Sequence, residues 1–294
     1  MRLQVVVNPS AGGGRAAAVL PAVERALRQA GHDVVSTPTA SLLHADELVD
    51  DALRDERVVV AMGGDGLVGR VAAAVGSGGG LMAVVPGGRG NDFCRAVGVP
   101  CEPLDAVPLV STGEERRIDL GVVSSEDGDV PFLGIASIGF DSEVQERVLR
   151  TRLRLGSHVY TYGALATVAT WRHATFDVVV DGEPSTVHGW SVAVSNSGRY
   201  GGGMRLAPDA SVEDGLLDVV TTAATSRLRF LRSFPKVFEG THVHDPSVDV
   251  RPAREVRLAA DRPFRVFADG DPVGVLPCTV SVRPGAVRVL LPRA

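Results

Sequence analysis

The hydrophobic pattern of the chain changes character near residue 121. Before that point short, wholly apolar runs alternate with stretches of helical periodicity. The order is Leu3 to Val7, a helix near Ala16 to Ala30 closed by Gly31, Asp33 to Ser36, and a helix near His44 to Arg54. Val58 to Met62, a helix from about Leu67, Leu81 to Val85 and a helix start near Asn91 follow. A strand that is apolar at every position has both faces buried, so strands of this kind spaced by helices predict a parallel sheet covered on both sides.

Beyond Asp119 strand-like runs crowd together: Phe132 to Ser137, Phe176 to Val180, Ser191 to Ser195, Leu216 to Thr221, Glu255 to Ala259, Phe264 to Ala268, Thr279 to Val282 and Val287 to Leu291. Helical insertions are predicted around Ser142 to Arg172 and Ser226 to Glu239. The expected fold is therefore an α/β domain with a parallel sheet followed by a β-rich, antiparallel second domain. No internal repeat or low-complexity linker separates them, which predicts two halves packed together rather than tethered.

Composition narrows the function. The chain has 294 residues, enough for two ordinary domains, and a formal net charge of -5. It offers no global basic field, which excludes a dedicated nucleic-acid binder. Three cysteines, Cys94, Cys101 and Cys278, lack C-x-x-C spacing and point to a reducing cytosol. The N-terminus turns glycine-rich after a five-residue apolar run, so neither a signal peptide nor a membrane span is expected there.

The 34 glycines are concentrated in runs, and those runs need a local reason. Asn8-Pro9-Ser10-Ala11-Gly12-Gly13-Gly14-Arg15 follows the first predicted strand, Gly63-Gly64-Asp65-Gly66 the third, and Pro86-Gly87-Gly88-Arg89-Gly90-Asn91-Asp92 the fourth. Glycine lets backbone N–H groups approach a phosphate chain closely, and strand C-termini are where ligands bind in open α/β sheets. A single such loop is usually just a turn; three at one sheet edge point to a nucleotide. Neither the Walker A pattern nor G-x-G-x-x-G occurs at these strand ends, which argues against a P-loop enzyme and an ordinary dehydrogenase. Asp65 and Asp92 would repel a bare anion, and a divalent cation removes that objection. Nucleotide plus magnesium explains both features.

At these residues the sequence resembles the bacterial diacylglycerol kinase and lipid kinase family, whose catalytic domain is shared with eukaryotic diacylglycerol and sphingosine kinases and is related to NAD kinase. The resemblance runs over nearly the whole chain: residues 8–14, 63–66, 88–93, Ile118-Asp119-Leu120-Gly121, Asn196 to Pro208, Ala210 to Leu216 and Asp269-Gly270-Asp271. It implies an NAD-kinase-like nucleotide domain over residues 1–121, a lipid domain over 122–285, and a C-terminal strand over 286–294 returning to the first domain.

It further implies ATP in the interdomain cleft. The contacts would be Asn8, Pro9, Ser10, Ala11, Gly12, Thr39, Gly63, Gly64, Asp65, Gly66, Leu67, Val68, Gly69, Gly88 and Arg89. Asp65, Asp92 and Asp119 would act on a catalytic magnesium, partly through water. Asp214, with the carbonyls of Ser211 and Leu216, would hold a second, structural magnesium. The general base falls on Asp271, where the family has Glu. Other departures are Leu67 for the usual Thr, Gly69 for a polar residue, and Arg89 with Gly90 where a Thr or Ser precedes the Asn-Asp pair. Arg89 can supply a planar charged fork in place of the lost hydroxyls. Taken alone, Asp119 reads more readily as a strand-end turn acid and Asp269-Gly270-Asp271 as a hairpin turn; the other motifs shift both toward the site.

The expected reaction phosphorylates a lipid hydroxyl, diacylglycerol first, with a sphingoid base, ceramide or another lipid alcohol as alternatives. A nucleotide- and lipid-binding regulator without turnover is the non-enzyme alternative. The expected location is cytoplasmic, peripheral at the inner membrane face, and a homodimer is left open. Arg147, Arg150, Arg152 and Arg154 read as a solvated face. The segment 226–236 carries Arg227, Arg229, Arg232 and Lys236 among Leu228, Phe230, Leu231 and Phe234, a pattern equally suited to an anionic bilayer and to packing on the sheet. His242 and His244 are expected in a surface loop rather than as a metal pair. Trp171 and Trp190 are expected in the core, and Tyr200 and Met204 around the glycine turn.

Overall fold

The structure, a computed structural model, describes residues 1–151 and 159–293. Arg152 and Arg154 of the basic segment lie outside the described residues.

The first half contains β1 (Arg2–Val7), α1 (Ala11–Gln29), β2 (Asp33–Pro38), α2 (Leu42–Arg54), β3 (Val58–Gly63), α3 (Asp65–Ser77), β4 (Leu81–Pro86) and the short α4 (Asp92–Ala96). The strands are parallel in the order β2-β1-β3-β4. Alternation along each strand divides the side chains between two cores. Val5, Val7, Val60 and Met62 pack with Ala16, Val23 and Leu27 of α1. Val6, Val59 and Ala61 pack with Val49 of α2 and Val71 and Val75 of α3. Each fully buried Val or Leu contributes roughly 1.5–3 kcal/mol as an upper bound. That demand on both faces explains the continuous apolar runs in the sequence.

The short α5 (Pro103–Ala106) and α6 (Leu109–Thr112) lead into β5 (Glu114–Ser125), β6 (Gly128–Phe132), β7 (Ile135–Gly139), α7 (Phe140–Arg150) and α8 (Val159–Thr170). Then come β8 (Ala174–Val180), β9 (Glu183–Ser195), the hairpin β10 (Arg199–Tyr200) and β11 (Met204–Arg205), β12 (Leu217–Ala223) and α9 (Arg227–Glu239). The chain ends with β13 (Val248–Ala253), β14 (Glu255–Ala260), β15 (Arg265–Ala268), β16 (Asp271–Val275) and β17 (Cys278–Leu291). The strands β16-β15-β7-β9-β8-β14-β17 pair antiparallel in that order, and β17 then pairs parallel with β4, Arg288 opposite Leu81. One mixed sheet therefore runs through both halves.

An aromatic cluster fixes the second half. Trp190 stacks on Phe230 of α9 at 3.8 Å, and Phe140 meets Trp171, Trp190 and Phe230 edge-on. Such pairs add about 0.5–1.5 kcal/mol each beyond area burial. Trp171 and Trp190 are core residues.

Three expectations need correction. Phe132 to Ser137 is not one strand: Leu133 and Gly134 break it, because their N–H groups turn to the Asp269 carboxylate instead of a neighbouring strand. Thr279–Val282 and Val287–Leu291 are one strand, β17, which carries a bulge with Gly285 at φ +56°. His242 lies in a 3-10 turn, Thr241–His244, buried with Nε2 3.1 Å from the Leu206 carbonyl, so it is not a surface residue.

Candidate active site

The register of the parallel strands brings the glycine loops to one edge. Val7 lies opposite Pro38 and Met62, and Gly63 opposite Pro86. Asn8 opens the first loop with an Asx turn, its Oδ1 accepting from the Ser10 N–H (3.1 Å) and hydroxyl (2.8 Å). Gly12 has φ +64°, and a Cβ there would stand 2.6 Å from the Gly87 carbonyl oxygen, so only glycine fits. The Gly63 carbonyl in turn accepts from Gly87 N–H (2.7 Å) and Gly88 N–H (3.1 Å). Asn91 completes the weave from a left-handed conformation (φ +50°): Oδ1 accepts from Gly88 N–H and Nδ2 donates to Gly88 O. The three loops thus form one surface. Arg89 is exposed above it, its Nη2 3.3 Å from where a Gly13 Cβ would be. Thr39 is half-buried beside the end of β1, its N–H donating to Val7 O at 2.7 Å.

Two carboxylates converge there. A Cβ on Gly90 would stand 3.2 Å from Oδ2 of both Asp65 and Asp92. Asp65 Oδ1 accepts from Phe93 N–H at 3.0 Å, while Asp92 Oδ2 accepts from Gly202 N–H at 2.8 Å, a contact that comes from the second half. Asp92 Oδ1 is buried with no partner. Burial raises both pKa values; the Asp92 charge adds to the rise at Asp65, and the amide bonds oppose it. A buried carboxylate pair with an orphaned oxygen is a place where a cation would relieve both desolvation and repulsion. Among the described residues no group of three or more His, Cys, Asp or Glu is placed to hold a metal. Two carboxylates fit magnesium nonetheless, since that ion commonly takes one or two from the protein and the rest from phosphate and water.

Asp271, at the start of β16, faces this edge from the other half: a Cβ on Gly66 would stand 3.6 Å from its Oδ2. The residue is exposed overall, and partial desolvation raises its carboxyl pKa. Its neighbour in the triplet is built differently. Asp269 accepts from the N–H groups of Leu133 (2.8 Å), Gly134 (2.8 Å) and Ile135 (3.1 Å).

Several expected contacts fall elsewhere. The Leu67 and Val68 side chains lie in the core, and Gly69 is buried beneath Asp269, so only the backbone at the start of α3 faces the loops. Pro9 is half-buried, Ser10 exposed, and Ala11 packs into the α1 core. Asp119 is 1% exposed, and its two oxygens accept from Gly285 N–H and Gly215 N–H, each at 2.7 Å. It braces the β17 bulge and the Ser211–Leu216 loop instead of joining Asp65 and Asp92. In that loop Asp214 is exposed and accepts from Leu216 N–H at 2.9 Å, and the Ser211 hydroxyl accepts from Glu213 N–H. Burial, then the charges of Asp214 and Asp209, push Asp218 up to about 6. A cavity of about 400 Å³ against β8, β9 and β12, lined in part by Val178, His188 and Val219, includes none of Asp65, Asp92, Asp269 or Asp271 in its walls.

Sequence reasoning assigned no role to Asn91, Gly202 or Asn196. Asn196 is fully buried and donates to the carbonyls of Asp119 (3.1 Å) and Leu133 (2.9 Å). Their signal was position: each lies inside a glycine-rich motif, where a side-chain amide or a bare N–H can hold backbone.

Comparison with known proteins fits this geometry. Residues 2–123 match the diacylglycerol kinase catalytic domain, and residues 134–291 match the YegS C-terminal NAD kinase beta sandwich-like domain. A diacylglycerol kinase of Mycobacterium tuberculosis is 32% identical, covering 99% of this chain and 96% of its own. One from Bacillus subtilis is 27% identical over 94% of this chain and 91% of its own. A crystal structure of a diacylglycerol kinase from Bacillus anthracis shares the fold, with a TM-score of 0.76 at 21% identity, covering 99% of this chain and 96% of that one. The chain therefore belongs to the diacylglycerol kinase family, and it is a lipid kinase.

Proposed function

We propose that the protein transfers the γ-phosphoryl group of ATP to a lipid hydroxyl, with diacylglycerol, giving phosphatidic acid and ADP, as the preferred pair. The observation that carries this reading is the facing of two kinds of acid. Asp65 and Asp92 converge around Gly90 among the glycine loops, and Asp271 looks at Gly66 from the other half. The proposed division follows: residues 1–121 bind nucleotide, 122–285 bind lipid, and 286–294 return to the first unit, supported by the pairing of β17 with β4.

Phosphoryl transfer asks mainly for positioning and charge neutralisation. The backbone of Asn8 to Gly12, Gly63 to Gly66 and Gly88 would hold the phosphates, with Arg89 as their cationic partner. Asp65 and Asp92 would hold magnesium, which when bound neutralises phosphate charge. Asp271 would take the hydroxyl proton as the oxygen attacks phosphorus. The aspartate arm is one methylene shorter than the family's Glu, and its reach to the second glycine loop supports a working base. The Ser211, Asp214 and Leu216 loop is proposed for a second magnesium; the reading is supported by the negative charge that Asp214 and Asp209 place on Asp218, which a cation bound there would relieve.

A cytoplasmic location, peripheral at the inner membrane face, is part of the proposal. It is supported by free cysteines and by the absence, among the described residues, of any helix long and apolar enough to span a bilayer. The test is a lipid panel with radiolabelled ATP, magnesium and purified protein in mixed micelles. Label should enter phosphatidic acid from diacylglycerol faster than it enters phosphorylated sphingoid base or ceramide. ATP binding without transfer to any lipid would overturn the reading.

A further inference from the structure

Helix α9 is held tightly at one face and bare at the other. Its inner anchor is Phe230, stacked on Trp190 and edge-on to Phe140. Ser226 caps its N-terminus by accepting from Arg229 N–H, and Gly240 ends it in a left-handed turn at φ +77°. Arg227 donates to the Trp171 carbonyl, and Arg229 pairs with Asp245 at 2.7 Å. None of its residues is fully buried.

Outward, Leu228 (59% exposed), Leu231 (39%), Phe234 (36%) and Phe238 (48%) follow one another at helical spacings of three and four, forming one apolar strip. Arg232 and Lys236, four apart and both exposed, line a second strip beside it, with Arg229 in the same row. Four basic residues against the single acid Glu239 make this helix a local exception in a chain of net charge -5.

We propose that this outer face of α9 docks the enzyme on an anionic phospholipid bilayer. The inference rests on the lipid-kinase reading and names the surface from which the lipid arrives. Charge complementarity selects the occupant: an apolar strip flanked by a basic row suits acyl chains beneath acidic headgroups. Two α9 helices packed together would instead bring basic rows close to one another.

Position ties the face to the cleft. The residue that ends α9, Gly240, packs on Pro208 and the Arg205 stem of the β10–β11 hairpin, and Gly202 in that hairpin caps Asp92. Docking through α9 therefore sets the bilayer next to the second-half loops that close the candidate site.

The test uses vesicles of phosphatidylcholine alone and with about 30% phosphatidylglycerol, since anionic lipid supplies the attraction. Wild type should co-sediment with the anionic vesicles and far less with the neutral ones. Arg232→Ala/Lys236→Ala should weaken that binding about thirtyfold, each basic residue near the surface being worth a factor of about five. Phe234→Ser/Phe238→Ser should also abolish most of it. Both variants should melt with wild type and phosphorylate a dispersed short-chain diacylglycerol at the wild-type rate. Failure of wild type on that dispersed lipid would count against the kinase reading, whereas vesicle binding decides the docking surface by itself. Equal vesicle binding by wild type and both variants would overturn the proposal. So would a concentration-dependent dimer that the Phe double variant dissolves while vesicles go unbound.

Discussion

At the open edge of the parallel sheet, backbone does the positioning and the acids face the cleft. From β5 onward, acids do the positioning and most of them face away. Asp65 takes an amide on Oδ1 and turns Oδ2 toward Gly90, and Asp92 takes an amide on Oδ2, the oxygen beside Gly90, and leaves Oδ1 buried without a partner. Asp119 and Asp269 use both oxygens on amides, bracing Gly215 and Gly285 in one case and Leu133 to Ile135 in the other. Residue type is the same throughout; what differs is whether neighbouring N–H groups occupy the lone pairs. An unoccupied oxygen in a buried carboxylate is available to a cation or a proton, and an occupied one is scaffold.

The largest break in this comparison should come from Asp65→Asn, which keeps the shape and the bond from Phe93 but removes the charge. We expect kcat to fall about 10³-fold, in the range seen when one electrostatic partner of a reacting group is removed, with the melting temperature unchanged or raised. Unaltered turnover would place the metal elsewhere.

Asp119→Ala should do the opposite. It strands two N–H groups, Gly215 and Gly285, at about 1–3 kcal/mol for each group left unsatisfied, so stability should fall by a few kcal/mol. Denaturant unfolding measures this. A native midpoint with lost turnover would return Asp119 to the catalytic set.

Arg89→Ala should raise the KM for ATP at least tenfold, since a charge-assisted contact contributes roughly 1.5–3 kcal/mol. Unchanged steady-state constants would leave Arg89 as a solvated surface group.

The mildest effect is expected at Asp214→Ala. Bound metal stabilises the native state by mass action, so magnesium should raise the melting temperature of wild type by more than that of the variant. An equal rise in both would remove the second metal from this loop.

The same contrast explains what the sequence revealed. Leu3 to Val7 and Val58 to Met62 were legible because burial on both faces and a following glycine loop are local signals. The break at Leu133–Gly134 was not, because its cause is Asp269, far along the chain. The Pro284-Gly285 pair reads as a strand terminator, yet β17 continues because Asp119 receives the Gly285 amide. Motif position singled out Asp65, Asp92 and Asp271, which lie beside the glycine loops; it could not tell that Asp119 faces inward, nor that Leu67 and Val68 belong to the core.

In the proposed reaction Asp271 receives the lipid proton while Asp269, two residues away, holds backbone. The most direct test is the kcat of Asp271→Asn on the best lipid, read beside ATP affinity and the pH profile of wild type. Asn keeps size but cannot take the proton, so kcat should fall about 10²–10⁴-fold with ATP affinity nearly unchanged. Because desolvation raises the Asp271 pKa, wild-type kcat/KM should fall as pH drops through a value above the ordinary aspartate range, where the base becomes protonated. Turnover of Asp271→Asn at the wild-type rate would show that Asp271 is not the base.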